Sequence, residues 1–171
     1  MDMAAINEYL STYGMLFIFI IFFLEYLNVP GLAAGIIMPL AGVWAKSYGA
    51  NIFFVVLVTV LAGMLASFVL YLIGRFSGMY LIDKIVNKFP KQGAKINAKV
   101  EMIRKKGAIG VFICKLIPCI RTIISIPAGA CKISAVKYTV AAGLGIIVWN
   151  SAFVAAGYLF SDAVITLMAR G

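Results

Sequence analysis

Four long apolar runs fill the chain from Gly14 onward, and the polar residues that interrupt them cluster near residues 25–31 and 115–127. The first run, Gly14 to Ala45, is too long for one ordinary crossing, and Glu25, Asn28, Pro30 and Gly31 break it at its middle. Each half holds about 15 residues, fewer than the ~20 needed to cross a ~30 Å hydrocarbon core. Pro30 lacks an amide donor and Gly31 admits unusual backbone angles, so residues 14–45 are expected to fold back as a re-entrant hairpin. Irregular backbone cannot face lipid, because each unsatisfied amide group is costly in hydrocarbon. The turn is therefore predicted to line a wet cavity, with Glu25 beside it.

The second run, Asn51 to Ile73, has no charge or proline and ends at Gly74 and Arg75, which predicts a transmembrane helix over 51–74. Gly63, Ala66 and Ser67 read as small packing residues on it. Across 79–106 the pattern turns amphipathic. Met79, Ile82, Ile85 and Phe89 recur at helical spacing, Pro90 breaks the series, and Ile96, Val100 and Ile103 resume it, with lysines opposite. That pattern suits helices lying in the membrane interface. The third run, 107–131, contains Lys115, Pro118, Arg121 and Pro127 and is predicted to be a second re-entrant hairpin. Its two cations cost ~2.5 to 3.5 kcal/mol each on insertion scales, so a purely structural role requires a partner charge. The fourth run, 136–160, is long enough to cross, with Lys137 and Tyr138 at its start and Trp149 and Asn150 near its middle.

The order is hairpin, spanning helix, basic link, hairpin, spanning helix, and PLAG at 39–42 matches PAG at 127–129. The expected fold is an all-α integral membrane domain covering 1–171. It consists of two inverted repeats, each a re-entrant hairpin followed by a spanning helix, joined by basic amphipathic interfacial helices. Pro30, Gly31, Pro118, Pro127 and Gly129 are the expected hairpin-turn and structural residues.

Composition supports this reading. Of 171 residues 64% are hydrophobic and 12% charged, and the mean hydropathy is +1.05, outside the range of soluble domains. The net charge of +9 does not point to nucleic acid. Lys84, Lys88, Lys91, Lys95, Lys99, Arg104, Lys105 and Lys106 share one polar stretch, as cytoplasmic loops do, where they also attract anionic lipid. With 75–106 cytoplasmic, the first hairpin enters from outside and the second from inside, and their turns are expected to meet near the midplane of the cytoplasmic membrane. Asp2 and Glu8 precede the first apolar run, so no cleaved secretory signal is expected. Cys114, Cys119 and Cys131 lack CxxC spacing and read as packing residues. The absence of histidine excludes a His-ligated metal, and no metal or cofactor is expected.

On these motifs the chain resembles the DedA family, also called the SNARE-associated or VTT-domain family. The likeness rests on Glu25 with VPG at 29–31, PLAG, GMLASFVLYLIGRFSG at 63–78 and FICKLIPCIRTIISIPAG at 112–129. It implies lipid translocation: undecaprenyl phosphate, or phosphatidylethanolamine in some members, carried across the cytoplasmic membrane with protons or sodium as coupling ions. Eukaryotic relatives look like scramblases. By position, the family's membrane-embedded acid falls on Glu25, its second-hairpin arginine on Arg121 and its first basic position on Lys115. Many relatives carry arginine at that first basic position. Many also have a second acid in a PGE or PGD motif, where Ala33, Ala34 and Gly35 stand here, so a two-carboxylate coupling scheme lacks its second member.

The residue types favour a flippase for an anionic lipid. Arg121 and Lys115 would grip phosphate while Glu25 serves as proton-sensitive counter-ion. A buried Glu25–Arg121 ion pair with no transport role is the structural alternative. A proton-driven ion or drug antiporter would use Glu25 alone, but two fixed cations oppose cationic substrates. An intramembrane phosphatase or other enzyme is disfavoured by the lack of histidine, paired acids or a nucleophile with an adjacent base. The sequence leaves assembly into a homo-oligomer open.

Overall fold

The computed structural model describes residues 3–27, 34–78, 80, 100–118 and 120–161, with side chains from Tyr13 onward. Pro30, Gly31, Cys119 and most of the basic link, including Lys84, Lys88, Lys91, Lys95 and Lys99, lie outside the described residues. Every regular element among the described residues is helical: α1 (Met3–Tyr26), α2 (Ala34–Ser47), α3 (Ile52–Ser77), α4 (Ala108–Lys115), α5 (Ile120–Ile123), α6 (Ser125–Ala130) and α7 (Ala135–Leu159). α1 begins eleven residues before Gly14, where the apolar run starts, and ends one residue past Glu25.

Local chemistry sets the element ends. Asn51 caps α3, its Oδ1 accepting from the Phe53 amide at 2.9 Å. Residues 100–106 are helical, and Gly107, at φ 56°, turns the chain into α4. Val100 and Ile103 are buried while Glu101, Arg104, Lys105 and Lys106 are exposed. The described end of the link is thus amphipathic.

Two compact units divide the chain, one comprising residues 1–63 and 149–171 and the other 64–148, so α3 and α7 each contribute to both. In the first, α1 packs on α2 with the Trp44 indole against Gly14, and α2 meets the end of α7 backbone to backbone. A Cβ at Gly42 would collide with the Val154 carbonyl and lie 2.6 Å from the Tyr158 amide, and one at Gly157 would collide with the Pro39 carbonyl. In the second unit, α6 meets the end of α3 in the same way. A Cβ at Gly129 would collide with the Tyr71 carbonyl and lie 2.7 Å from the Arg75 amide, and one at Gly74 would collide with the Ile126 carbonyl. The spacing is identical: Val154, Gly157 and Tyr158 in one clamp correspond to Tyr71, Gly74 and Arg75 in the other. Small residues at such crossings let helices approach closely where lipid offers no hydrophobic drive to associate.

The second unit has a core of Tyr71, Ile103, Val111, Ile124, Ala128 and Tyr138, with the Tyr71 and Tyr138 rings stacked at 4.4 Å. Arg75 Nη1 ties the end of α3 to the segment after α6, donating to Tyr71 Oη at 2.7 Å and to the Ile133 carbonyl at 3.2 Å.

α3 and α7 are long and apolar enough to cross a membrane. Phe53, Leu57, Leu61, Leu65, Val69 and Ile73 form an exposed stripe along α3 at four-residue spacing, and Val136, Val140 and Leu144 do the same on α7. Soluble monomers rarely expose contiguous apolar patches of this extent. Hydrocarbon is the solvent that suits them, and the chain is a membrane protein.

Candidate functional site

Lys115 is the last residue of α4 and is 1% exposed. Nζ donates to Ser67 Oγ of α3 at 2.8 Å and to Ser125 Oγ of α6 at 3.1 Å. Tyr138 of α7 donates its hydroxyl to the Ser67 carbonyl at 3.0 Å, closing the cluster from a fourth element. A long side chain ends here because α7 leaves room for its stem. A Cβ at Gly145 would lie 2.5 Å from the Lys115 Cβ.

Arg121 lies in the one-turn helix α5 and is 2% exposed; Thr122 beside it is 5% exposed. Lys115 and Arg121 therefore belong to the same unit, six residues apart across the Leu116–Pro118 turn. Pro118 is exposed at that turn, whereas Pro127 and Gly129 are buried in α6, where Gly129 carries the clamp onto α3. Pro127 and Gly129 thus serve helix packing. Burying a cation is expensive unless it is hydrogen-bonded or meets an anion, and both cations are almost fully buried in this unit.

Glu25 belongs to the other unit, in the last turn of α1, and is 5% exposed. Its neighbour Tyr26 is fully buried and donates to Asn150 Oδ1 of α7 at 2.8 Å. The Asn150 amide nitrogen has no hydrogen-bond partner among the described residues. Tyr26 also packs its ring on Gly63 of α3, a Cβ there falling 2.8 Å from the ring edge. The two arm ends are handled alike. Tyr26 closes α1 by bonding α7 and packing on a glycine of α3, while Lys115 closes α4 by bonding α3 and packing on a glycine of α7.

Sequence reasoning singled out Glu25, Lys115 and Arg121, but it treated Ser67 as packing and assigned Ser125, Tyr26 and Asn150 no site role. A serine in an apolar helix is small whether it packs or bonds, so spacing carried no signal for Ser67. The one available signal was a lysine in the same apolar set, which must find partners on neighbouring helices.

Residues 29–159 match the model of the VTT domain. The chain belongs to the VTT-domain, or DedA, family. Among VTT-domain relatives it is 28% identical over 167 residues to undecaprenyl phosphate transporter A of Staphylococcus aureus, covering 95% of this chain and 82% of that protein. It is 35% identical over 98 residues to undecaprenyl phosphate transporter A of Bacillus subtilis, covering 57% of this chain and 50% of that protein. An alkaline phosphatase-like protein of Lactococcus lactis is 26% identical over 140 residues, covering 78% of this chain and 64% of that protein. No solved structure matches.

Proposed function

We propose that the chain is a multi-pass transporter of the cell membrane, a flippase that moves a phosphate-bearing lipid between leaflets, with undecaprenyl phosphate the first candidate and phosphatidylethanolamine the second. The observation that carries this reading is the pair of buried cations, Lys115 and Arg121, in one unit of a membrane-embedded chain. An ammonium and a guanidinium in a low-dielectric site attract phosphate strongly, and the guanidinium presents a bidentate fork to it. The names of the Staphylococcus and Bacillus relatives support the same substrate. In this reading the hairpins are re-entrant and the repeats inverted, the geometry in which alternating access exposes one site to either side. Glu25 serves as the proton-responsive group.

The test is reconstitution into proteoliposomes, following undecaprenyl phosphate and phosphatidylethanolamine across the bilayer with and without a pH gradient. Movement of the polyprenyl phosphate by the unaltered protein, abolished in Lys115→Ala and Arg121→Ala proteins of native thermal stability, is the expected result. Equal movement in all three would remove the phosphate assignment. Measuring inorganic phosphate release in the same vesicles addresses the phosphatase reading suggested by the name of the Lactococcus relative. Release without lipid movement would replace transport by hydrolysis.

A further inference from the structure

Where α4 and α7 begin, a groove of about 400 Å³ opens between them. Ala108, Ile109 and Phe112 form its α4 wall, and Val136, Val140 and Leu144, the exposed stripe of α7, form the other. Lys137, in the first turn of α7, is the one polar residue lining it among the described residues. From Lys137 to Leu144 the helix rises about 10 Å, and the lining beyond the lysine is wholly apolar. More positive charge gathers at the same end, because Lys106 stands two residues before Ala108 and Lys132 three before Ala135. Among the described residues of 100–137, the exposed cations Arg104, Lys105, Lys106, Lys132 and Lys137 stand against a single acid, Glu101, which lies 3.7 Å from Lys105. The charge at this end of the groove is therefore largely uncompensated.

We infer that the groove is a docking site for an anionic phospholipid of the surrounding bilayer, one acyl chain lying between α4 and α7 and the phosphate held at Lys137 and Lys106. Apolar lining alone would not select a lipid, since hydrocarbon tails already surround this face and one tail gains little over another. The headgroup must decide. A zwitterionic headgroup brings its own cation, whereas a net-negative one gains about fivefold for each nearby lysine or arginine. An ammonium holds phosphate as a point charge and needs no fixed geometry, which suits a lysine at an exposed groove mouth. Neither Lys115 nor Arg121 lines the groove, so the inference stands or falls separately from the transport reading. A lipid seated there bridges α4, which carries Lys115, and α7, so it should stabilise the folded chain.

The detergent-solubilised full chain, titrated with dioctanoyl phosphatidylglycerol, dioctanoyl phosphatidylcholine and glycerol 3-phosphate, tests this. Phosphatidylglycerol is expected to bind saturably and raise the thermal midpoint, phosphatidylcholine to bind several-fold more weakly, and glycerol 3-phosphate, which lacks the chains, not to bind at the same concentrations. Lys137→Gln should weaken phosphatidylglycerol binding about fivefold, and Lys137→Arg should keep it. Lys132→Gln removes the same charge from outside the lining and should have a smaller effect. Val140→Trp fills the groove from an exposed position and should abolish the preference for phosphatidylglycerol; if it lowers thermal stability, Leu144→Trp serves instead. Equal binding of the two phospholipids overturns the inference, as do equal losses in Lys132→Gln and Lys137→Gln, full affinity in the tryptophan variants, or binding of glycerol 3-phosphate as tight as that of the lipid. Farnesyl phosphate displacing phosphatidylglycerol at lower concentration, with the same dependence on Lys137 and Val140, would assign the groove to the transported lipid and overturn it too. So would a dimer of the unaltered chain that Val140→Trp dissociates, which would give the groove to a second copy.

Discussion

Gly129→Ala should destabilise the protein although alanine is the better helix former. Alanine gains about 1 kcal/mol over glycine in an unhindered helix interior. At Gly129 the added carbon falls onto the Tyr71 carbonyl oxygen and lies 2.7 Å from the Arg75 nitrogen and 3.0 Å from the Tyr71 carbonyl carbon. All three are backbone atoms of α3, so no rotamer change relieves the collision. Ordinary carbon contacts lie near 3.5–4.0 Å, so α6 and α3 must separate by roughly 1 Å or more, loosening the packing around Ala128 and Tyr71. Overpacking of this kind costs about 1–3 kcal/mol, and the lost packing adds to it, for a net loss of about 2 kcal/mol once the helix gain is subtracted.

Thermal unfolding of the purified protein in one detergent measures the effect. A chain of this size shifts by roughly 2–4 °C per kcal/mol, so the midpoint should fall by about 4–8 °C. Gly42→Ala, in the equivalent clamp of the other unit against Val154 and Tyr158, should fall by a similar amount. Gly35→Ala is the control: it sits in α2 with nothing among the described residues within 4 Å of the added carbon, so its midpoint should hold or rise slightly. A Gly129→Ala midpoint at or above that of the unaltered protein would refute the backbone-contact reasoning.

Tyr26→Phe removes the donor to Asn150 Oδ1 and strands a buried amide, which should cost about 1–3 kcal/mol and appear as a lowered thermal midpoint; an unchanged midpoint would mean that the Asn150 amide finds other partners. Glu25→Gln holds the side chain in a neutral form, so the folded variant should keep farnesyl phosphate affinity while transport ceases to respond to a pH gradient. A normal gradient response in that variant would place proton coupling elsewhere in the protein.

The helical class, the apolar spans at α3 and α7, and the unusual status of Lys115 and Arg121 were legible in the sequence because each rests on a one-dimensional quantity: run length, or a charge inside an apolar run. The packing partners were not. Sequence order joins each predicted hairpin to the apolar helix that follows it, yet the Gly42 clamp closes on the end of α7 and the Gly129 clamp on the end of α3. Nothing in a glycine states which distant helix it will meet; the matched AG pairs at 41–42 and 128–129 marked only an internal repeat. The same limit hid the site partners. Lys115 announced a need for hydrogen bonds, but the fold decided that Ser67, 48 residues earlier, and Ser125, 10 residues later, would meet it. In hydrocarbon the sequence therefore states the demand of a buried charge more clearly than its supply. The demand is fixed by solvation of the residue itself, and the supply by which helices cross.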